Sequence, residues 1–316
     1  MRHVAYGLDL RCSFPLPGMR AAAAEGLPLL ALELLPPAEL ARAWSGPDGP
    51  PAWTGRVGDG RSLTIERGID GDLLFTYGDR ARFRLDASRE RLDCAPLRAG
   101  LDWQQALLGR VLPNVAIMRG YEALHASAVG SPEGVVAVAA PSGMGKTTLA
   151  LELLRRGWPL FADDVLTLGE GPAPTRVHAH PGTPHMNVAA SPPAPLAPGE
   201  IGRTLGILSG ERWVAVEESA RAAAPVRMIC LLERHAGLPL AAHVLPPSPL
   251  PLAPYMLGLE DDAERERNRF ARYADLMGDA TLIRLTCGSG HRPAELACLI
   301  EQVLSEPTAL TVGGVG

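Results

Sequence analysis

One stretch constrains this chain more than any other: Val135-Val-Ala-Val-Ala-Ala-Pro-Ser-Gly-Met-Gly-Lys-Thr-Thr-Leu149. Its first six residues, Val135 to Ala140, are β-branched or small and carry no charge, as suits a strand buried on both faces. Glycines then punctuate a turn, and from Thr147 to Arg156 the apolar residues Leu149, Ala150, Leu153 and Leu154 recur at three- and four-residue spacing. That spacing predicts a helix, in which Glu152 pairs with Arg156 one turn on and Gly157 supplies the stop. Strand, glycine turn and helix in this order form a phosphate-binding loop. Small residues let successive backbone N–H groups converge on phosphate oxygens, and the helix N-terminus adds partial positive charge at the same point. Ser142, Gly143, Met144, Gly145, Lys146, Thr147 and Thr148 are the candidate nucleotide-binding residues. Lys146 is expected on the β- and γ-phosphates and the Thr147 hydroxyl on Mg²⁺. The motif G-x-x-x-x-G-K-S/T asks for glycine where this chain has Ala140; Gly143 and Gly145, nearest the phosphates, are intact.

Composition supplies an independent argument. Lys146 is the only lysine in 316 residues, and every other base among the 30 Lys+Arg is arginine. A chain that uses arginine throughout keeps one compact ammonium, where a planar guanidinium would not fit inside a tight loop. The formal charge of -5, without a basic run, argues against nucleic acid as a partner. Five well-separated cysteines with no C-x-x-C pair suggest neither a zinc site nor a disulfide framework. The first residues lack the apolar core of an export signal, and Leu27 to Leu35 is too short to span a bilayer and carries Glu33. A cytoplasmic protein without membrane contact is the expectation; a homo-oligomer is allowed.

The chain divides, on its patterns, into residues 1–105, 106–305 and a flexible tail 306–316. In the first part, Val4 to Leu10 reads as one strand. Arg61–Arg67, Asp72–Tyr77 and Arg80–Leu85 alternate in short runs between Gly/Asp turns, as in an antiparallel meander. Asp102 to Leu112 reads as an amphipathic helix that Pro113 ends or kinks. Glu122 to Val129 is a strand candidate that brings His125 beside the phosphate loop. Pro159 to Leu168 is an apolar strand interrupted by Asp163 and Asp164. In a regular strand these two would face opposite sides, so at least one needs a polar partner. In a nucleotide site one such carboxylate ligates Mg²⁺ and the other accepts the proton of an attacking hydroxyl. Ser191 to Gly199 and Leu245 to Pro254 are proline-rich loops, candidate lids or rims. His178, His180 and His185 form a weak metal pattern without cysteine or carboxylate. Strands are expected at Val226–Leu232 and Thr281–Thr286, and helices at Asp261–Met277 and Pro293–Leu304.

The series His125, phosphate loop, ten-residue helix ending Arg155-Arg156-Gly157, then Ala162-Asp163-Asp164 resembles the HPr kinase/phosphorylase family. The nucleotide domain of that family is similar to that of phosphoenolpyruvate carboxykinase. The acidic pair on the very next strand makes the combination specific, over roughly residues 120–170. Tyr6-Gly-Leu-Asp9, Phe14-Pro-Leu-Pro-Gly18 and Leu124-His-Ala-Ser-Ala-Val129 look more like HPr-kinase-related proteins of ribosomal-peptide pathways, including lasso peptide kinases. The resemblance implies an α/β P-loop domain of this type behind a smaller β-rich N-terminal domain. It also implies ATP and Mg²⁺ as cofactors, Asp163 as catalytic base, Asp164 assisting Thr147 at the metal, and His125 close to the γ-phosphate beside Lys146. Gly157-Trp158 stands where HPr kinases carry Gly-His, and their C-terminal signature is absent, so the family's substrate is not carried over. The function expected is a kinase acting on a serine-type hydroxyl of a peptide. An HPr(Ser) kinase/phosphorylase and a non-catalytic nucleotide-binding regulatory module are the alternatives.

Overall fold

The computed structural model describes residues 1–22, 25–56, 60–171, 177–189, 196–197, 199–258 and 263–305. Over the described residues it is a mixed α/β molecule with three sheets. Tail residues 306–316 and most of the proline-rich stretch from Ser191 lie outside the described residues. Among the described residues no helix is long and apolar enough to cross a membrane.

The first sheet has eight strands. Arg2–Ala5 and Leu8–Cys12 form a hairpin, where a single strand was expected from Val4 to Leu10. The chain reverses there because Tyr6 and Gly7 both adopt left-handed backbone, with φ of 57° and 77°, the conformation of a two-residue hairpin turn. Leu8–Cys12 and Arg91–Pro96 flank Leu29–Leu34 in parallel, and the meander Arg91–Pro96, Ala81–Leu85, Leu73–Tyr77, Ser62–Arg67, Trp53–Arg56 continues antiparallel to the edge.

A helical segment crosses this sheet and buries Leu107, Leu108, Val111, Leu112 and Val115 against Leu10, Leu32, Phe75 and Phe83. It runs from Asp102–Ala106 through a π-helical turn, Leu107–Val111, into Leu112–Met118, so Pro113 does not end it. Proline in an α-helix lacks a donor and collides with the carbonyl four residues back. The wider π turn just before Pro113 relieves both problems. The Leu108 carbonyl, five residues before it, takes its hydrogen bond from the Tyr6 hydroxyl instead (2.9 Å). The segment through Ala116 thus shares one core with the first sheet.

The second sheet carries Gly134–Ala139 between Ala126–Ser131, antiparallel, and Ala224–Arg234, parallel, with Thr281–Cys287 parallel beyond. Both faces are covered. Val136 and Val138 meet helices Lys146–Arg155 and Pro293–Ser305 through Leu149, Leu153, Leu296 and Ile300. Val135, Ala137 and Ala139 turn to the other face and share a core with Tyr273, Leu276 and Met277 of helix Ala263–Asp279. The uncharged run in the sequence reflects this two-sided burial. Leu250–Tyr255 forms a 3₁₀ turn with Leu252 fully buried, and Met256–Leu257 adds an edge strand to Glu122–Leu124. Within this proline-rich stretch Pro249 and Leu252 are buried, while Pro246, Pro247, Leu250, Ala253 and Pro254 stay exposed. A third, three-stranded sheet joins His185–Ala189, Glu211–Val216 and Gly202–Leu208.

Candidate functional site

The loop after Gly134–Ala139 turns on Gly143 and Gly145, at φ of 80° and 101°. A Cβ on Gly143 would meet nothing within 4 Å, so glycine is needed there for backbone direction rather than for room. The Leu149 N–H closes the first helical bond, to the Gly145 carbonyl (2.9 Å). The N–H groups of residues 146–148 consequently have no acceptor within the helix, the ordinary condition of a helix start.

Lys146 is 7% exposed, and its side chain folds back under the loop. Its ammonium donates to the Ala140 carbonyl (2.9 Å), the Pro141 carbonyl (3.4 Å) and His125 Nε2 (3.0 Å). An ammonium can only donate, so Nε2 accepts and the imidazole proton sits on Nδ1. Nδ1 in turn faces the Asp164 backbone carbonyl (3.0 Å) and Asp164 Oδ1 (3.2 Å). Burial holds the His125 pKa below the usual histidine value, and Lys146 adds to this against the pull of Asp164. Burial also lowers Lys146, which Asp164 and Asp163 partly offset. His125 occupies the gap between Glu122–Leu124 and Ala126–Ser131, where the strand predicted to be continuous changes partners.

Asp163 and Asp164 follow Leu160–Ala162, and here the regular-strand expectation fails. Asp164 has φ of 70°, a left-handed conformation that aspartate tolerates better than most residues, and the ladder resumes only at Leu166. Released from the pleat, both carboxylates line one cavity. Asp163 Oδ1 accepts from Ser127 Oγ (2.8 Å) and Thr147 Oγ1 (3.0 Å), and Oδ2 from the Asn187 N–H (3.1 Å). Asn187 is itself held by Gln105 Nε2 (2.7 Å). Asp164 pairs with Arg110 and His125. The sequence reading set Thr147 with Asp164 about the metal; the hydroxyl instead contacts Asp163.

The electrostatics of the pair diverge. Burial and the neighbouring Asp164 charge push the Asp163 pKa up, against its three hydrogen bonds. Burial would raise Asp164 too, but Arg110, His125 and Lys146 outweigh it and hold that carboxyl below the usual range. Asp163 therefore sits in a local deficit of positive charge, which a divalent cation would make good. Among the described residues no three His, Cys, Asp or Glu side chains gather to enclose a metal. A site of one hydroxyl and a carboxylate suits Mg²⁺, which takes few protein ligands and fills its shell with phosphate oxygens and water.

The cavity has a volume of about 400 Å³. Ser142, Gly143, Gly145, Lys146, Thr147, Thr148, His125, Asp163 and Asp164 form one wall. Met144 does not join them; it packs on the core beneath the helix. The lining is completed by Tyr6, Tyr77 and Arg110 and by His185, Glu211 and Trp213 of the third sheet. His185 stacks on Trp213 at 4.8 Å and binds the Pro17 carbonyl (2.7 Å), while His180 binds the Glu170 carbonyl (3.0 Å). These two of the three clustered histidines are thus committed to separate backbone positions.

Sequence reasoning missed Arg110, Ser127 and Asn187. Ser127 stands two residues from His125 on a strand already singled out, so period-two alternation could have marked it. Asn187 acts through its backbone, and nothing in its identity signals that. Arg234 was missed as well: it ends the central strand, with its guanidinium 4.0 Å from where a Cβ on Gly145 would lie.

No known protein family matches the chain, and no curated protein does. Among solved structures it is similar to the HPr(Ser) kinase/phosphatase from Coxiella burnetii, at 14% sequence identity and a TM-score of 0.33, over 58% of this chain and 97% of that one. The likeness is weak, and the functional reading rests on the contacts of the site.

Proposed function

We propose that the protein is an ATP- and Mg²⁺-dependent phosphotransferase that acts on a hydroxyl group, with a serine-type hydroxyl of a peptide as the acceptor. One observation carries it. A left-handed glycine loop, the single lysine of the chain and two adjacent carboxylates of opposite electrostatic character share one cavity. The peptide acceptor, in ribosomal- or lasso-peptide tailoring, is supported by sequence resemblance alone.

In this reading the open N–H groups of the loop and helix start bind the phosphates, and Lys146 exchanges the Ala140 and Pro141 carbonyls for β- and γ-oxygens. Thr147 and Asp163 would hold Mg²⁺, which supplies charge neutralisation on the same oxygens. The acceptor oxygen forms its bond to the γ-phosphorus as the bond to the β,γ-bridging oxygen breaks and ADP departs. The acceptor proton passes to Asp164, which is kept ionised and oriented by its neighbours. This exchanges the roles that the family resemblance implies for the two aspartates, because the hydroxyl that would share the metal touches Asp163. His125, neutral and protonated on Nδ1, orients Lys146 and Asp164 together.

The two aspartates provide the test. Asp163→Asn should lose Mg²⁺-dependent ATP affinity in calorimetry. Asp164→Asn should bind ATP·Mg²⁺ within a few-fold of wild type yet transfer phosphate ~10²–10⁴-fold more slowly, followed by mass spectrometry of hydroxyl-bearing peptides. The reverse pattern would return the base to Asp163. Tight ATP binding with no transfer to any peptide or small hydroxyl acceptor would favour a nucleotide sensor.

A further inference from the structure

The π turn Leu107–Val111 is a costly feature to place at a cavity wall, and its effect is specific. An α-helix advances about 100° per residue, so the additional residue held by a π turn rotates the neighbouring side chains round the axis by about that angle. Gly109 and Arg110 line the cavity together with Gln105, Ala106 and Leu108, while Leu107 and Val111 stay in the core of the first sheet. The turn is pinned on both sides of the arginine. The Tyr6 hydroxyl holds the Leu108 carbonyl at 2.9 Å, and Asn114 Nδ2 holds the Arg110 carbonyl at 2.8 Å. The guanidinium then reaches across the cavity to Asp164, with the Arg110 side chain 32% and the Asp164 side chain 27% exposed. Pro113 already accounts for the π turn itself; what a merely structural ion pair does not need is the open face that this one turns towards the cavity.

We propose that Arg110 is a catalytic residue which leaves Asp164 for the transferring phosphoryl group and neutralises charge on its equatorial oxygens in the transition state. The inference rests on the phosphotransferase reading. It assigns to the helix of the N-terminal sheet a cation supplied in cis to the cavity that the glycine loop also lines. Arginine suits the task because its planar fork matches two phosphate oxygens and its charge is permanent. The pairing with Asp164 stores it next to the place where the phosphoryl group passes. Its departure also frees the carboxylate that is to receive the acceptor proton, so one movement serves both ends of the reaction.

The experiment uses the full chain with Mg²⁺, ADP and aluminium fluoride, a planar mimic of the phosphoryl group in flight. Wild type should melt at a higher temperature with ADP plus aluminium fluoride than with ADP alone. Arg110→Ala should keep the ADP shift and lose the additional one, with ATP affinity within about threefold of wild type and transfer reduced ~10³-fold or more. Guanidinium ion at millimolar concentration should restore part of that transfer. Should Arg110→Ala fold poorly, Arg110→Lys, which keeps the charge but not the fork, carries the same comparison and should lose most of the fluoride-dependent shift. A variant that retains the full shift overturns the role of Arg110 alone. A wild type that does not distinguish aluminium fluoride from ADP overturns the phosphotransferase reading and this inference with it.

Discussion

Lys146 shows how a single side chain can be both obvious in sequence and demanding in structure. Its ammonium donates to the Ala140 carbonyl at 2.9 Å, the Pro141 carbonyl at 3.4 Å and His125 Nε2 at 3.0 Å, three acceptors that match three tetrahedral donors and not the five-donor plane of a guanidinium. Lys146→Ala should lower phosphoryl transfer ~10²–10³-fold, in the range for removal of one electrostatic group from a reacting centre, and Lys146→Arg should fail almost as badly. Single-turnover transfer, with far-UV circular dichroism to verify folding, measures both; full activity in the arginine variant would contradict the geometry. Lys146 was legible because motif and composition agree on it. The aspartates were legible as a pair but not in their division of labour. That division depends on the left-handed turn at Asp164 and on which hydroxyl lies nearest, neither of which has a signature in residue order. Arg110 was invisible for a further reason: it is one of 29 arginines, counted as the 30 Lys+Arg less Lys146, and nothing in its own neighbourhood sets it apart.

At the level of elements, periodicity found what burial had written into the chain. The strand through Val135 to Ala140, the helix after it, the strands near Val226 and Thr281 and the final helix were all readable because their apolar residues face a core on schedule. Two failures share one cause. The split of Val4–Leu10 and the helix that runs on past Pro113, where ending was one of the two outcomes expected, both depend on contacts made far away in sequence, and they meet at Tyr6, whose backbone makes the hairpin and whose hydroxyl caps the π turn. Burial pushes the Tyr6 pKa up to about 12, so the hydroxyl keeps its proton and remains a donor. Tyr6→Phe leaves the Leu108 carbonyl without that donor and should cost about 1–3 kcal/mol by urea unfolding. It should also slow transfer by loosening Arg110. A variant of unchanged stability would show that the π turn holds itself.

For the molecule as a whole, the joint between the first and third sheets carries a pH signature. Burial lowers the His185 pKa to about 4; Nε2–H donates to Pro17 while Nδ1 is buried without a partner. The unfolded chain binds that proton near pH 6.5, well above the folded one, so the stabilisation is complete above 6.5 and is lost as pH falls towards 4. The loss should approach about 3 kcal/mol at the lower end, since each pKa unit corresponds to about 1.4 kcal/mol. His125 and His180 shift in the same direction and add to it. Urea unfolding between pH 8 and 4.5 should show this slope, and His185→Gln should flatten it; an equally steep slope in the variant would assign it elsewhere. The buried position of Lys146 has one more consequence. With no other lysine in the chain, an amine-directed acylating reagent finds only two addresses, the α-amino group and the floor of the cavity. Acylation there requires the ammonium to leave its three acceptors, so the rate at which a second mass appears, with and without nucleotide, makes the intact protein weighed on a spectrometer a gauge of how often the cavity floor opens.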